Sequence, residues 1–170
     1  MGSLAEVVEF TRSVVAGAQA SEVKLDRGGE DAVTAYHFAP PGDDSQPLPG
    51  DVAYLGDDEG AGTGQALGYQ DPRTAPLAGA GDKRIYARSG AGVASCQVWL
   101  KADGSVLISN DQGAVELKPD GTALVSNAQG SIELAASGAV TVTTPLGTFG
   151  ADTHMHTTPF GPSGGPIPGT

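Results

Sequence analysis

From residue 104 onward the chain runs in short bursts of alternating apolar and polar positions, each opened by a glycine. The second and fourth positions after each glycine are apolar: Val106 and Ile108, Val115 and Leu117, Ala123 and Val125, Ile132 and Leu134, Val140 and Val142. Phe149 takes the second position after Gly147, and Ser105, Glu116, Thr122, Ser131, Glu133 and Thr141 stand at polar positions around them. Such alternation, bounded by Asp-Gly, Gln-Gly or Ser-Gly, predicts short strands with one apolar face. The glycines are Gly104, Gly113, Gly121, Gly130, Gly138 and Gly147, with gaps of 9, 8, 9, 8 and 9 residues, so the pattern repeats every 17. The segment Gly104–Asp120 matches Gly121–Ser137 letter by letter at Ser109-Asn110, Gln112-Gly113 and Glu116-Leu117. A fixed short period signals a stacked, quasi-one-dimensional architecture. Glycine at each corner is expected to supply the positive φ that a tight bend needs.

Strands this short cannot bury an apolar face alone, and no helical pattern nearby offers a cover. Two arrangements answer the problem. A single-chain β-solenoid with three strands per coil would need about 25 residues per coil, giving roughly two coils, fewer than the three repeats such folds usually need. Three chains around one axis, each giving its apolar stripe to a shared core, is the favoured solution.

Upstream, Leu4, Val7, Val8, Phe10, Val14 and Val15 form a loose helical stripe, read as a terminal helix that either docks on a partner or frays. Strands follow at Ser21–Leu25, Ala32–Phe38, Asp51–Gly56, Gln65–Tyr69 and Lys83–Ser89, separated by turn-rich insertions. Five short strands fit a small closed barrel such as an OB-fold, with a five-stranded sandwich as the alternative. The expected organisation is an N-terminal segment (1–18), an OB-fold domain (19–91), a triple-stranded β-helix (92–152) and an apex (153–170). Gly92–Leu100 is expected to run from barrel to repeat without a linker, as a rigid joint.

Charge and composition narrow the function. The 170 residues carry a formal charge of −11, and no Lys or Arg follows Lys118. Nucleic-acid binding by counterion release needs clustered cations and is not expected; nor is charge attraction to anionic lipid. Cys96 is the only cysteine and shares a strand face with Val98 and Leu100, so it is read as buried filler. No signal peptide or transmembrane run is evident, which points to synthesis in a cytoplasm. Tyr36, Phe38, Tyr54, Tyr69 and Tyr86 are read as packing groups ahead of stacking groups, His37 as packed within its strand, and Asp57-Asp58-Glu59 as a solvated turn rather than a calcium loop. Nothing resembles a phosphate loop, a nucleophile elbow or a cysteine-rich zinc site.

The repeat ends in Ala151-Asp152-Thr153-His154-Met155-His156, followed by a coda rich in Gly and Pro. In extended chain His154 and His156 point the same way, roughly 6.5–7 Å apart. Two imidazoles make a weak site, but three chains on a threefold axis supply six. Zinc favours four ligands, so a six-nitrogen cage points to iron, with nickel or cobalt behind it. A saturated site of this sort is structural and locks the assembled tip by linkage. An incidental His-x-His in a tail is one alternative. Another is a two-His-one-carboxylate oxygenase site with Asp152, which needs open coordination positions and a substrate pocket.

Four segments in order, Leu48–Gly56 (LPGDVAYLG), Trp99–Val106 (WLKADGSV), Thr153–His156 (THMH) and Ser163–Gly169 (SGGPIPG), carry a resemblance that spans nearly the whole chain. It resembles the central-spike proteins of contractile-tailed phages, the Mu-like baseplate assembly protein V family. The resemblance implies an all-β homotrimer: an OB-fold barrel followed by an intertwined trimeric β-helix needle with a metal-bound apex. It implies one iron ion per trimer, held by His154 and His156 of all three chains, with further ions such as calcium or chloride along the shaft. It implies a place in the virion tail baseplate, contacts with hub proteins through the N-terminal region and OB-fold, and passage through the host outer membrane on sheath contraction. Some relatives insert a lysozyme domain, for which this chain leaves no room, so no enzymatic activity is expected. A pyocin-like or type VI machine would use the same part. The remaining alternative is a trimeric fibre tip or adhesin that binds a host glycan, with Met155 and Phe160 as its only exposed candidates.

Overall fold

The structure, a computed structural model, describes residues 3–15, 17–29, 32–37, 42–56, 64–151, 157–158 and 161–162. All regular structure among them is β, and the chain divides into two compact units, Met1–Ala75 and Pro76–Thr170.

The first unit is a closed five-stranded barrel, compatible with an OB-like fold. Its strands are β1 (Ser3–Val15), β2 (Ala18–Asp26), β3 (Ala32–His37), β4 (Val52–Gly56) and β5 (Gly64–Gln70). They pair around the barrel in the order β1-β2-β3-β5-β4, and β4 returns to β1 to close it. Only the β3–β5 pair is parallel. The core is Ala5, Val7, Val23, Leu25, Ala35, Ala53, Leu55 and Ala66, with Phe10, Val33 and Tyr69 packed against it. Small residues at four of those eight positions suit the tight interior of so narrow a barrel.

The helix expected over Leu4–Val15 is instead the barrel's longest strand. The register of β1 against β2 slips between Val7 and Glu9. The extra residue of this β-bulge changes the inward spacing from Ala5 and Val7 to Phe10, a spacing that imitates a helical stripe. The strand expected at Lys83–Ser89 as the fifth of the barrel belongs elsewhere: β6 (Lys83–Arg88) pairs with β7 (Ala94–Leu100) in the second unit.

That second unit is an eight-stranded antiparallel meander. After β6 and β7 come β8 (Val106–Asn110), β9 (Gly113–Leu117), β10 (Ala123–Asn127), β11 (Gly130–Leu134), β12 (Val140–Thr144) and β13 (Gly147–Gly150), each paired with the next. A short pair, β14 (Thr157–Thr158) with β15 (Gly161–Pro162), stands apart from the sheet.

The 17-residue period is one pair of strands and two unlike turns. Along one edge the turns are five-residue loops such as Lys101–Ser105, where the Lys101 amide donates to the Ser105 carbonyl and the Gly104 amide to the Lys101 carbonyl, both at 3.0 Å. Gly104, Gly121 and Gly138 fill this turn at φ +89, +90 and +89°. Along the other edge Asn110 and Asn127 close the turn with their side chains: Asn110 Oδ1 accepts from the amides of Gln112 and Gly113, each at 2.9 Å. Gly113 and Gly130 do not have the positive φ expected at every corner. They are glycine because of a close approach: a Cβ on Gly130 would run into the Thr143 carbonyl oxygen, and one on Gly113 would lie 2.7 Å from that of Ser126.

Candidate functional site

Because side chains alternate across a sheet, the register places one apolar residue from every strand of the meander in a single line. Ile85 pairs with Val98, Val98 with Ile108, Ile108 with Val115 and Val115 with Val125. The line continues through Ile132 and Val142 to Phe149. A second line beside it runs Leu100, Val106, Leu117, Ala123, Leu134 and Val140. The alternation predicted these residues on one face, and the register adds Ile85 and Val98, which precede the glycine pattern and which the repeat alone did not reveal.

This face is uncovered. Val125 is 51% exposed, Ile132 53% and Ile85 60%. Among the described residues every buried hydrophobic side chain belongs to the barrel and none to the sheet. Cys96, expected as buried filler, lies on the same face opposite Ala87 and Asn110 and is exposed for the same reason. An open groove of about 720 Å³ follows the face past Ile85, Val98, Ile108, Val115 and Val125.

The opposite face covers itself. The Arg84 guanidinium lies 4.7 Å from the Tyr86 ring centre and 5.8 Å from that of Trp99, with Lys101 Nζ 5.3 Å from Trp99. Trp99 Nε1 donates to Asp82 Oδ2 at 3.0 Å, and Gln97 Nε2 to Ser109 Oγ at 3.0 Å. Cationic stems and aromatic rings thus cover that surface at its β6–β7 end. Leu107 and Leu124 sit there half-buried, beside Glu116. The sequence reading passed over them; the signal was three consecutive apolar residues at Val106–Ile108.

Carboxylates organise the five-residue turns. Asp103 Oδ1 accepts from the Ser105 amide at 2.9 Å and its hydroxyl at 2.6 Å, which holds the Asp103 carboxyl below its ordinary value. Thr122 does the same to Asp120. Amide donors from Ala102 and Gly79 lower Asp82.

In the barrel, Asp51 is 1% exposed and takes Arg73 Nη2 at 2.6 Å and the Leu48 amide at 2.8 Å. Arg73 Nη1 also donates to the Pro49 carbonyl at 3.0 Å. The pair ties the entry of β4 to the chain leaving β5. His37 is half-buried, with Nδ1 2.9 Å from the Tyr69 hydroxyl and its ring edge-on to Phe10. Burial pushes Tyr69 up to about 12, so at neutral pH its hydroxyl keeps its proton. These contacts agree with packing roles for His37 and Tyr69; Tyr54 is exposed.

No family model matches this sequence, and no curated protein matches it. His154, His156 and Asp152 lie outside the described residues, as do Asp57-Asp58-Glu59, Met155 and Phe160. Among the described residues, no group of three or more His, Cys, Asp or Glu is placed to hold a metal ion, and no helix is long and apolar enough to cross a membrane.

Proposed function

We propose that this chain is the central spike of a contractile tail, a homotrimer whose needle is built from three copies of the meander with their apolar lines turned inward. The observation that carries the reading is the uncovered line from Ile85 to Phe149, which crosses all eight strands in register. A sheet is stable when its apolar face packs on another layer, and among the described residues the meander has no second layer of its own. Burying one Val, Leu or Ile side chain is worth roughly 1.5–3 kcal/mol, and three copies around an axis bury every member of the line.

The spike assignment rests on the ordered segments of the resemblance. LPGDVAYLG builds the buried Asp51 and strand β4, and WLKADGSV builds the end of β7, its five-residue turn and the start of β8. At the tip His154 and His156 are the residues that would hold an iron ion. Two imidazoles per chain are too few to saturate it, and six from a trimer suit it. A saturated iron would supply no turnover there and would tie together the His154–His156 segments of three copies. The role is mechanical, as a part driven through a host outer membrane, with the barrel contacting hub proteins of the baseplate.

Native mass spectrometry of the purified chain tests this. The expected result is a trimer with one iron, and loss of the iron with retention of the trimer in the His154→Ala, His156→Ala double variant. A metal-free monomer would overturn the reading. A trimer that takes up a glycan and no iron would favour the adhesin.

A further inference from the structure

We propose that Arg84 anchors a further binding site, which takes the carboxylate of an acidic sugar on the polar face of the meander. The site is separate from the apolar line and from His154 and His156, and it requires no particular number of copies.

The chain has 20 Asp and Glu against 9 Lys and Arg, so a cation has carboxylates in excess to choose from. Arg12 pairs with Asp44, and Arg73 with Asp51 and Asp71. Arg84 has no ion pair among the described residues, and its one hydrogen bond there runs from Nε to Gln97 Oε1. Gln97 is fixed in turn, because its Nε2 donates to the Ser109 hydroxyl. The guanidinium also packs on Tyr86 and Trp99, at 4.7 and 5.8 Å from their ring centres. The nearby carboxylates are engaged elsewhere. Asp82 accepts from the Gly79 and Ala102 amides and from Trp99 Nε1, Asp103 accepts from Ser105, and the cation whose charge reaches both is Lys101. Arg84 has therefore given up its rotamer freedom in advance while its Nη1 and Nη2 donors still lack an acceptor. In that state a planar, two-point grip on a carboxylate costs least.

A concavity of about 530 Å³ opens beside it, with Arg84, Ser95, Gln97, Ser109, Asn110 and Asp111 in its lining. Compact ligands occupy sites of roughly 300–1,000 Å³. Donors prevail in this lining. Ser109 accepts from Gln97 and so has its own proton to give, and Asn110, whose Oδ1 takes the Gln112 and Gly113 amides, keeps Nδ2. Such donors call for a ligand rich in acceptor oxygens, with an ionised group for Arg84. Asp111, the one acid in the lining, bonds Gln112 Nε2 at 3.1 Å. It opposes a run of carboxylates, as in an acidic peptide, but accepts readily from sugar hydroxyls. A hexuronic acid residue supplies the carboxylate, the ring oxygen and the hydroxyls together. Arg84, Gln97 and Ser109 stand on the face opposite the line from Ile85 to Phe149, so copies packed along that line leave them open.

Trp99 is the chain's only tryptophan and packs on Arg84, so its emission reads the site directly. Titrating the full chain with trigalacturonic acid is expected to give a saturable change in that emission. The methyl ester, which keeps the shape and removes the charge, should bind at least about tenfold more weakly. The acid should lose as much on the Arg84→Gln chain, while Arg84→Lys, which keeps the charge without the planar fork, falls between. Lys24→Gln, on β2 of the barrel, should bind as the parent chain does. Equal affinity for acid and ester would overturn the carboxylate assignment whether or not the variants fold. An absence of saturable change, or triglutamate binding as tightly as the sugar, would overturn the saccharide site. None of these outcomes touches the trimer, which native mass spectrometry reads separately.

Discussion

Two kinds of glycine hold the repeat, and a single methyl group separates their behaviour. Gly130→Ala drives a Cβ against the Thr143 carbonyl, so strands β11 and β12 must part; overpacking of this kind costs roughly 1–3 kcal/mol. Gly121→Ala meets only an ordinary contact at 3.9 Å with Ala136 and suffers from its φ of +90°, a cost of roughly 1–2 kcal/mol. Urea unfolding should place Gly130→Ala below Gly121→Ala in midpoint, and the reverse order would contradict the close-approach account. In the barrel the decisive residue is Arg73. Removing one partner of a buried ion pair costs about 3–5 kcal/mol, and the 36% exposure of the Arg73 side chain moves the expectation for Arg73→Ala to about 2–3 kcal/mol. Thermal unfolding of the variant checks this, with Arg73→Lys expected to recover part of the loss. Nothing local in the chain signals the Asp51–Arg73 pair, because 22 residues separate its members and neither belongs to a periodic pattern.

At the scale of the element, the five-residue turns should respond to acid. Asp103 and Asp120 titrate below their ordinary value near 3.8 in the folded chain. A depressed carboxyl contributes stability that is complete above the unfolded value and is lost as pH falls through the folded one. Protection of the Ser105 and Thr122 amides, taken relative to the intrinsic exchange rate at each pH, should therefore be greatest above about pH 4 and fall below it. Asp103→Asn and Asp120→Asn should remove that pH dependence at their own turns only. The strands between these turns were legible because alternation and glycine spacing are local signals. Strand β1 was not: the bulge at Val7–Glu9 broke the alternation, and its partner β4 lies far along the chain. Strand β6 was legible as a strand but not as a member of the sheet, since Ile85 joins the apolar line only through its pairing with Val98. The pair His154 and His156 could be read only as chemistry, in a segment outside the described residues.

For the whole molecule, Val125→Asp tests the apolar line as the contact between copies. In the chain alone the residue is half-exposed, whereas in the proposed trimer three carboxylates would be buried on one axis without partners. Sedimentation is expected to show loss of the trimer, with a fall in β-sheet circular dichroism as the meander loses its cover. An intact trimer of unchanged stability would mean that the line does not face the axis. The 17-residue period also makes the sheet modular. Leu100, Leu117 and Leu134 follow one another at that interval, as do Val98, Val115 and Ile132, Gly104, Gly121 and Gly138, and Asn110 and Asn127. Excising Gly104–Asp120 as a block should remove two strands and one turn from each edge while every remaining side chain keeps its face. A cut of eight or nine residues would exchange the edges and reverse each later strand. Length is thus adjustable in steps of two strands, about 9–10 Å, and the gene for such a chain can act as a ruler.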